Sequence, residues 1–210
     1  MAKNNFQTKI VFLMAHGAGA DKDSDWMIAL GNKLRPHDIE VIRFNFPYMQ
    51  ERTKTGKKRP PDRQSKLLES FVNEIERIED DCVLFIGGKS MGGRMASLLM
   101  VDDAISPIIK DKVKGVICLG YPFHPPGKPE KFKGAHLPEI NVPLLILQGE
   151  RDTFGNRQEI ENYAFSDSTK IQFLADGDHS FKPRVKSGLT LDDNLYSAAN
   201  LVKDFISTHY

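Results

Sequence analysis

The sequence predicts an α/β fold with a doubly wound, mostly parallel six-stranded sheet flanked by helices. Three observations predict it. Short apolar runs alternate with segments of helical period, the signature of βαβ units. The apolar runs are nearly continuous, as in sheets buried on both faces. The connections entering strands are short (Pro36–Asp38, Asp80–Asp81, Ser166–Ser168), whereas several leaving them are long (Asn45–Asp62, Gly120–Asn141, Ala175–Leu191). Ligands of open α/β sheets bind outside the carboxyl ends of strands, so loop length alone marks the working edge.

Ile10–Met14 reads as the first strand. A helix follows over Ser24–Leu34, with Ser24 as N-cap and Trp26, Ile28, Leu30 and Leu34 among its apolar positions. Ile39–Phe44 is the second strand. After a polar stretch, Leu67, Leu68, Phe71, Ile75 and Ile78 recur at helical spacing and predict a helix from about Arg63 to Glu79. Val83–Ile86 is the third strand, Met91–Met100 a helix and Val113–Leu119 the fourth strand. Pro143–Leu147 starts the fifth strand, Lys170–Leu174 is the sixth, and Asp192–Ile206 closes the chain as a helix. Without a repeat, a linker or a low-complexity tract, residues 1–210 read as a single domain.

Charge and composition narrow the function classes. Lys plus Arg is 29 and Asp plus Glu is 28, far from the basic excess of a general nucleic-acid binder. A membrane span needs about 20 predominantly apolar residues, and the longest apolar runs, such as Ile10–Ala15, are strand-sized. The stretch Met1–Lys9 is polar and lacks a signal-peptide core. Cys82 and Cys118, each inside an apolar run, read as two reduced, buried thiols. A cytoplasmic protein that engages neither nucleic acid nor membrane is the expectation.

The chemistry gathers after the third strand. Gly88-Lys89-Ser90-Met91-Gly92 is a G-x-S-x-G sequence between a buried strand and a helix. That context calls for a strained turn that exposes a serine hydroxyl at the sheet edge. A phosphate-binding P-loop would need a glycine where Val83 stands, and the loop is too short to wrap a phosphate. A serine nucleophile needs a base and a carboxylate to orient that base. Asp152 follows the fifth strand in Gln148-Gly149-Glu150-Arg151-Asp152, and His179 follows the sixth in Asp176-Gly177-Asp178-His179. Ser90, Asp152 and His179 thus stand in the required chain order as the expected triad, with Glu150 as the competing acid. The first strand runs into His16-Gly17-Ala18-Gly19-Ala20. Its small residues can aim the backbone N–H of Ala18, or alternatively Gly17, at an oxyanion, with the Met91 amide as the other donor. A dinucleotide loop there would need a third glycine where Lys22 stands. The six histidines form no H-E-x-x-H pattern and the cysteines have no zinc spacing, so neither metal nor cofactor is expected. Asp176 and Asp178 read as turn residues near His179, with a hard-cation site as the competing reading.

The loops at the working edge are basic. Glu51–Arg63 holds six basic residues against two acidic ones, and Lys128, Lys131 and Lys133 follow the fourth strand. These loops are expected to steer an anionic acyl ester or an acidic partner to the site, a solvated loop being the competing reading. Lys89 beside the serine, Tyr121 and Phe123 as pocket walls, and His124 are the expected substrate-binding residues. Between Ser90 and Asp152 there is no insertion large enough for a helical lid.

Taken together, HGAGAD near Ala20, RFNFPY at Arg43–Tyr48, GGKSMGGRMAS at Gly87–Ser97, LGYPFHPPGKPE at Leu119–Glu130, QGERDTFG at Gln148–Gly155 and DGDHSFKPR at Asp176–Arg184 resemble the α/β-hydrolase superfamily. The resemblance is to its small, lidless, dienelactone-hydrolase-like branch, which includes testis-expressed relatives and the hydrolase-like region of a chromatin acetyltransferase-complex subunit. It covers nearly the whole chain. It implies a hydrolase with Ser90, Asp152 and His179 as triad. Dienelactone hydrolases commonly use cysteine where this chain has serine, so lactone chemistry is not implied. The function expected is hydrolysis of a carboxylic ester or thioester of a small soluble substrate through an acyl-enzyme. The alternative is a non-catalytic interaction module that retains the fold, with the basic loops as its docking surface.

Overall fold

The computed structural model describes residues 9–210, so the polar start of the chain read above falls, except for Lys9, outside the described residues. Six strands form one parallel sheet: β1 (Ile10–Ala15), β2 (Ile39–Phe44), β3 (Val83–Lys89), β4 (Val113–Leu119), β5 (Leu144–Gly149) and β6 (Thr169–Leu174). Their order is β2-β1-β3-β4-β5-β6, with every neighbouring pair parallel. All six predicted strands exist, and those that lengthen do so by one to three residues at an end.

The core follows from the two-residue period of a strand. In β1, Val11, Leu13 and Ala15 face one layer, while Ile10, Phe12 and Met14 face the other. The first layer holds α2 (Pro47–Thr55), α3 (Gln64–Glu76) and α4 (Met91–Val101), which contribute Met49, Leu67, Phe71, Met95 and Leu99. The second holds α1 (Asp25–Leu34) and α7 (Leu191–Thr208), which contribute Met27, Leu30, Ala198, Val202 and Phe205. Two apolar clusters on opposite faces of one sheet bury its central strands β1, β3, β4 and β5 on both sides, while the edge strands β2 and β6 are only partly buried.

Several local expectations need correction. The polar stretch after β2 contains α2, whose only buried residues are Tyr48 and Met49. Such a helix has almost no apolar period to read. Two further short helices, α5 (Pro107–Lys112) and α6 (Arg157–Ile160), lie in connections for which no element is predicted. The α3 helix ends at Glu76, short of the predicted Glu79. Ser24 caps α1 by position, but its side chain makes no capping hydrogen bond. Full capping boxes occur instead at Asn156, before α6, and at Thr190, before α7. Both thiols are free, but only Cys118 is buried; Cys82 is partly exposed. Among the described residues no helix is long and apolar enough to cross a membrane.

The strand order reverses between β1 and β3, because β1 leads away to β2 and β3 leads the other way to β4. The carboxyl ends of these two strands open the crevice where ligands of such sheets bind. They carry His16–Ala20 and Ser90 respectively.

Candidate active site

Ser90 sits between β3 and α4 with φ 50° and ψ −113°, a conformation that costs an L-residue free energy. The neighbouring glycines permit the turn. Gly88 has φ 155°, and a Cβ on Gly92 would lie 2.5 Å from the Ala15 carbonyl oxygen. The backbone of β1 therefore passes directly under the elbow. The Ser90 amide is tied to the Leu119 carbonyl at 2.9 Å, which leaves the side chain to project from the sheet edge.

The three expected partners meet. The Ser90 hydroxyl lies 2.9 Å from His179 Nε2, and His179 Nδ1 lies 2.8 Å from Asp152 Oδ2. Asp152 is wholly buried and accepts two further hydrogen bonds, from the Phe154 amide at 2.8 Å and Gln148 Nε2 at 2.8 Å. A buried carboxylate facing Nδ1 fixes the proton there and leaves Nε2 free to accept from Ser90. The competing acid is engaged elsewhere: Glu150 accepts from the Asp176 amide and pairs with Arg157 at 2.9 Å. Asp178 accepts from the amides of Ser180 and Lys182, and Asp176 pairs with Arg151 and Arg184. Both are turn residues, as read from the sequence. Among the described residues no group of three or more His, Cys, Asp or Glu side chains could hold a metal ion.

The loop after β1 faces the serine. His16 is buried; its Nδ1 donates to the Gly17 carbonyl at 2.6 Å and its Nε2 accepts from the Phe46 amide at 3.1 Å. Both ring positions are thus spent on neutral contacts, and burial pushes the His16 pKa down. The Tyr48 hydroxyl donates to the Ala18 carbonyl at 3.1 Å and fixes the next peptide. Among the described residues the amides of Gly17, Ala18 and Met91 donate to no protein group, and Ala18 borders the cleft beside Ser90. Two unspent amides from two loops at one crevice are what an oxyanion hole requires.

Two clefts meet at the serine and share Ala18, Ser90 and Phe154. The first, about 430 Å³, is bordered by Met91, Arg94, Met95, Pro122, His124 and Lys133 among others. The second, about 390 Å³, is bordered by Trp26, Met27, Lys89, His179 and Ser180 among others. The basic segment does reach the first cleft, through Pro61 and Asp62. Its charges are partly spent: Arg59 pairs with Glu51 and Asp62, and Arg52 donates to the Gly19 carbonyl.

The expected substrate-binding residues divide. His124 borders the cleft but is 2% exposed; its Nδ1 donates to the Pro125 carbonyl and its Nε2 stands 3.3 Å from Glu159 without hydrogen-bond geometry. Tyr121 and Phe123 border neither cleft: both are fully buried, packed on each other at 4.7 Å between ring centroids. The intervening Pro122 and the following Pro125 form the wall instead. Lys89 turns to the α1–α7 side, because β3 alternates. There its ammonium donates to the His179 carbonyl and lies 5.5 Å from the Trp26 ring and 5.6 Å from the Phe181 ring. Burial pushes its pKa down to about 8, against the opposing pull of Asp152 and Asp178. Lys89 thus holds the His179 loop, a role its place beside the serine did not disclose.

Three residues escaped the sequence reading. Phe154 stacks on the His179 ring at 4.1 Å between centroids. Gln148 ties the Asp152 turn to Tyr121. Arg94, one helical turn after Ser90, borders the first cleft. All three lie inside the motif segments quoted above, but nothing in their residue type or spacing marks a role.

A family model described as an alpha/beta hydrolase domain matches residues 8–207. Solved structures of the same architecture include Est1E from Butyrivibrio proteoclasticus, with a TM-score of 0.68, 14% identity, and coverage of 99% of this chain and 90% of that one. A dienelactone hydrolase from Anabaena variabilis gives a TM-score of 0.66, 16% identity, and coverage of 97% and 88%. An alpha-beta serine hydrolase homologue from Coxiella burnetii gives a TM-score of 0.66, 15% identity, and coverage of 94% and 85%. At these identities the likeness is one of fold.

Proposed function

The chain belongs to the alpha/beta hydrolase domain family, and from that premise we propose that it cleaves a carboxylic ester or thioester of a small substrate through an acyl-enzyme on Ser90. The observation that carries this reading is the continuous hydrogen-bonded line from Ser90 Oγ through His179 to the buried Asp152. Ser90 Oγ bonds to the acyl carbon as its proton passes to His179 Nε2. Asp152 stabilises the imidazolium and holds the ring's orientation. The tetrahedral oxyanion accepts from the amides of Met91 and Ala18, with Gly17 adjacent. The bond to the leaving oxygen or sulfur then breaks, and the leaving group takes the proton from His179. Water gives a proton to His179 and attacks the acyl carbon; Ser90 Oγ recovers that proton and the free acid departs.

Labelling by a fluorophosphonate probe tests the reading. The expected result is rapid labelling of the wild type, none of folded Ser90→Ala, and strongly slowed labelling of His179→Ala. No labelling of folded wild type would turn the reading toward a non-catalytic module.

A further inference from the structure

The first cleft contains a cation with no carboxylate assigned to it. Arg94 follows Ser90 by one turn of α4, and its amide donates to the Ser90 carbonyl at 3.1 Å. Its Nε is buried without a hydrogen-bond partner, and among the described residues no carboxylate pairs with its guanidinium. The polar side chains around it are neutral: Tyr121, whose pKa burial pushes up, and His136, pushed down to about 4 by burial and then by Arg94 itself. The acid of the cleft, Asp62, is already compensated by Arg59 at 2.9 Å and Lys66 at 3.3 Å. Lys133 adds a second cation to the border. A buried guanidinium donor without an acceptor is costly, and a planar fork matches a carboxylate in two hydrogen bonds.

The proton path assigns the two clefts. The group that protonates the leaving atom must stand beside it, and His179 borders the second cleft, not the first. The leaving group therefore belongs with Trp26 and Met27, and the acyl group belongs with Met91, Met95 and Arg94. One turn of helix separates Ser90 from Arg94, a rise of about 5.4 Å. A short polymethylene chain spans that distance and finds Met91, Met95 and Leu67 as its apolar wall.

We propose that Arg94 is the carboxylate-binding residue of an acyl subsite, so that the substrate is the monoester or monothioester of a short dicarboxylic acid. The proposal rests on the serine-hydrolase reading of the same site, and its test separates the two.

The test compares para-nitrophenyl hemiadipate with the uncharged isostere in which an isopropyl group replaces the carboxylate. The ratio of the two kcat/KM values is read within each variant. Wild type is expected to favour the hemiadipate by about 10- to 100-fold, the range of a hydrogen bond to a charged group. In Arg94→Gln the ratio falls to about one; in Arg94→Lys, which keeps the charge without the fork, it lies between. Free adipate is titrated in parallel into wild type, Ser90→Ala and Arg94→Gln, with binding expected in the first two only. A ratio near one in a wild type that labels with fluorophosphonate overturns the subsite and leaves the hydrolase standing. A wild type that neither labels nor turns over, yet binds adipate through Arg94, keeps the subsite and removes the hydrolase. If adipate binds nowhere in such a protein, both fall. Should Arg94→Gln not fold, the wild-type ratio, the Arg94→Lys ratio and adipate binding still decide.

Discussion

Gln148 Nε2 donates to Asp152 Oδ2 at 2.8 Å, and the same amide group clamps the segment that walls the cleft. Its oxygen accepts from the Tyr121 amide at 2.7 Å, and its nitrogen also meets the carbonyls of Tyr121 at 3.1 Å and Gly155 at 3.0 Å. Gln148 is wholly buried, so none of these groups has water as a substitute. Replacement by leucine keeps roughly the volume but orphans a buried N–H and leaves Asp152 one donor short. Gln148→Leu is expected to lose about 2–4 kcal/mol of stability in denaturant unfolding. Its kcat on a para-nitrophenyl ester should fall more than its KM rises, because Asp152 is repositioned rather than substrate released. A variant as stable and as active as wild type would show that the clamp is dispensable.

The choice of acid is equally open to measurement. Asp152 faces His179 Nδ1, whereas Glu150 is bound to the Asp176 amide and Arg157. Asp152→Asn presents an amide to the imidazole and favours the wrong tautomer, so kcat should fall by about 10³–10⁴. Glu150→Gln removes an ion pair at the surface and should change kcat by less than about threefold. The reverse ranking would move the acid to Glu150.

Much of this arrangement is legible in the sequence. Ser90, Asp152 and His179 each follow a strand-length segment, and the alternation of such segments with helical periods is what marks a parallel sheet. The α2 helix was invisible for the opposite reason: it lies on the surface and buries only Tyr48 and Met49, so no period marks it. Tyr121 and Phe123 were misplaced because an aromatic residue in a long loop suits a pocket wall and a core equally well. Only the packing of Phe123 against Phe132, Tyr163 and Phe165, with Tyr121 packed on Phe123, decides for the core. In the sequence Lys89 stands out as the basic residue beside the serine, whereas Arg94 carries no mark. The strand's two-residue alternation turns one toward Trp26, and the helical turn places the other along the cleft. Gln148 carried no signal, since a buried amide is recognised only by the backbone groups it satisfies.

The strain at Ser90 gives a prediction in which stability and chemistry part. At φ 50° and ψ −113° a side chain carries a penalty of about 1–3 kcal/mol that glycine does not. Ser90→Gly is therefore expected to raise stability by about 1 kcal/mol or more relative to Ser90→Ala, while neither variant labels with fluorophosphonate. Equal melting temperatures for the two would mean that the elbow stores no strain.

Lys89 makes the stability of the fold depend on pH above about 8. Its pKa stands at about 8 in the folded chain against 10.5 as the ordinary value, with burial as the main cause. Between these values the unfolded chain binds the proton and the folded chain does not, so the Lys89 contribution to stability rises with pH from about 8 to about 10.5. Below about 8 both states carry the charge, and the full cost of burying it remains. The same ammonium donates to the His179 carbonyl, so the cost is offset by order in the loop that carries His179. Lys89→Met removes the charge and the donor together. The unfolding free energy of wild type minus that of Lys89→Met, followed in urea at steps from pH 8 to pH 10, should rise with pH. Taking the difference cancels the slopes of opposite sign from Cys118 and Cys82, whose thiols burial pushes up, and from Tyr48, pushed up to about 12 by burial. Activity should meanwhile fall even at pH 7, because the His179 carbonyl has lost its anchor. Parallel stability profiles for the two proteins would place the Lys89 ammonium in solvent rather than against the rings of Trp26 and Phe181.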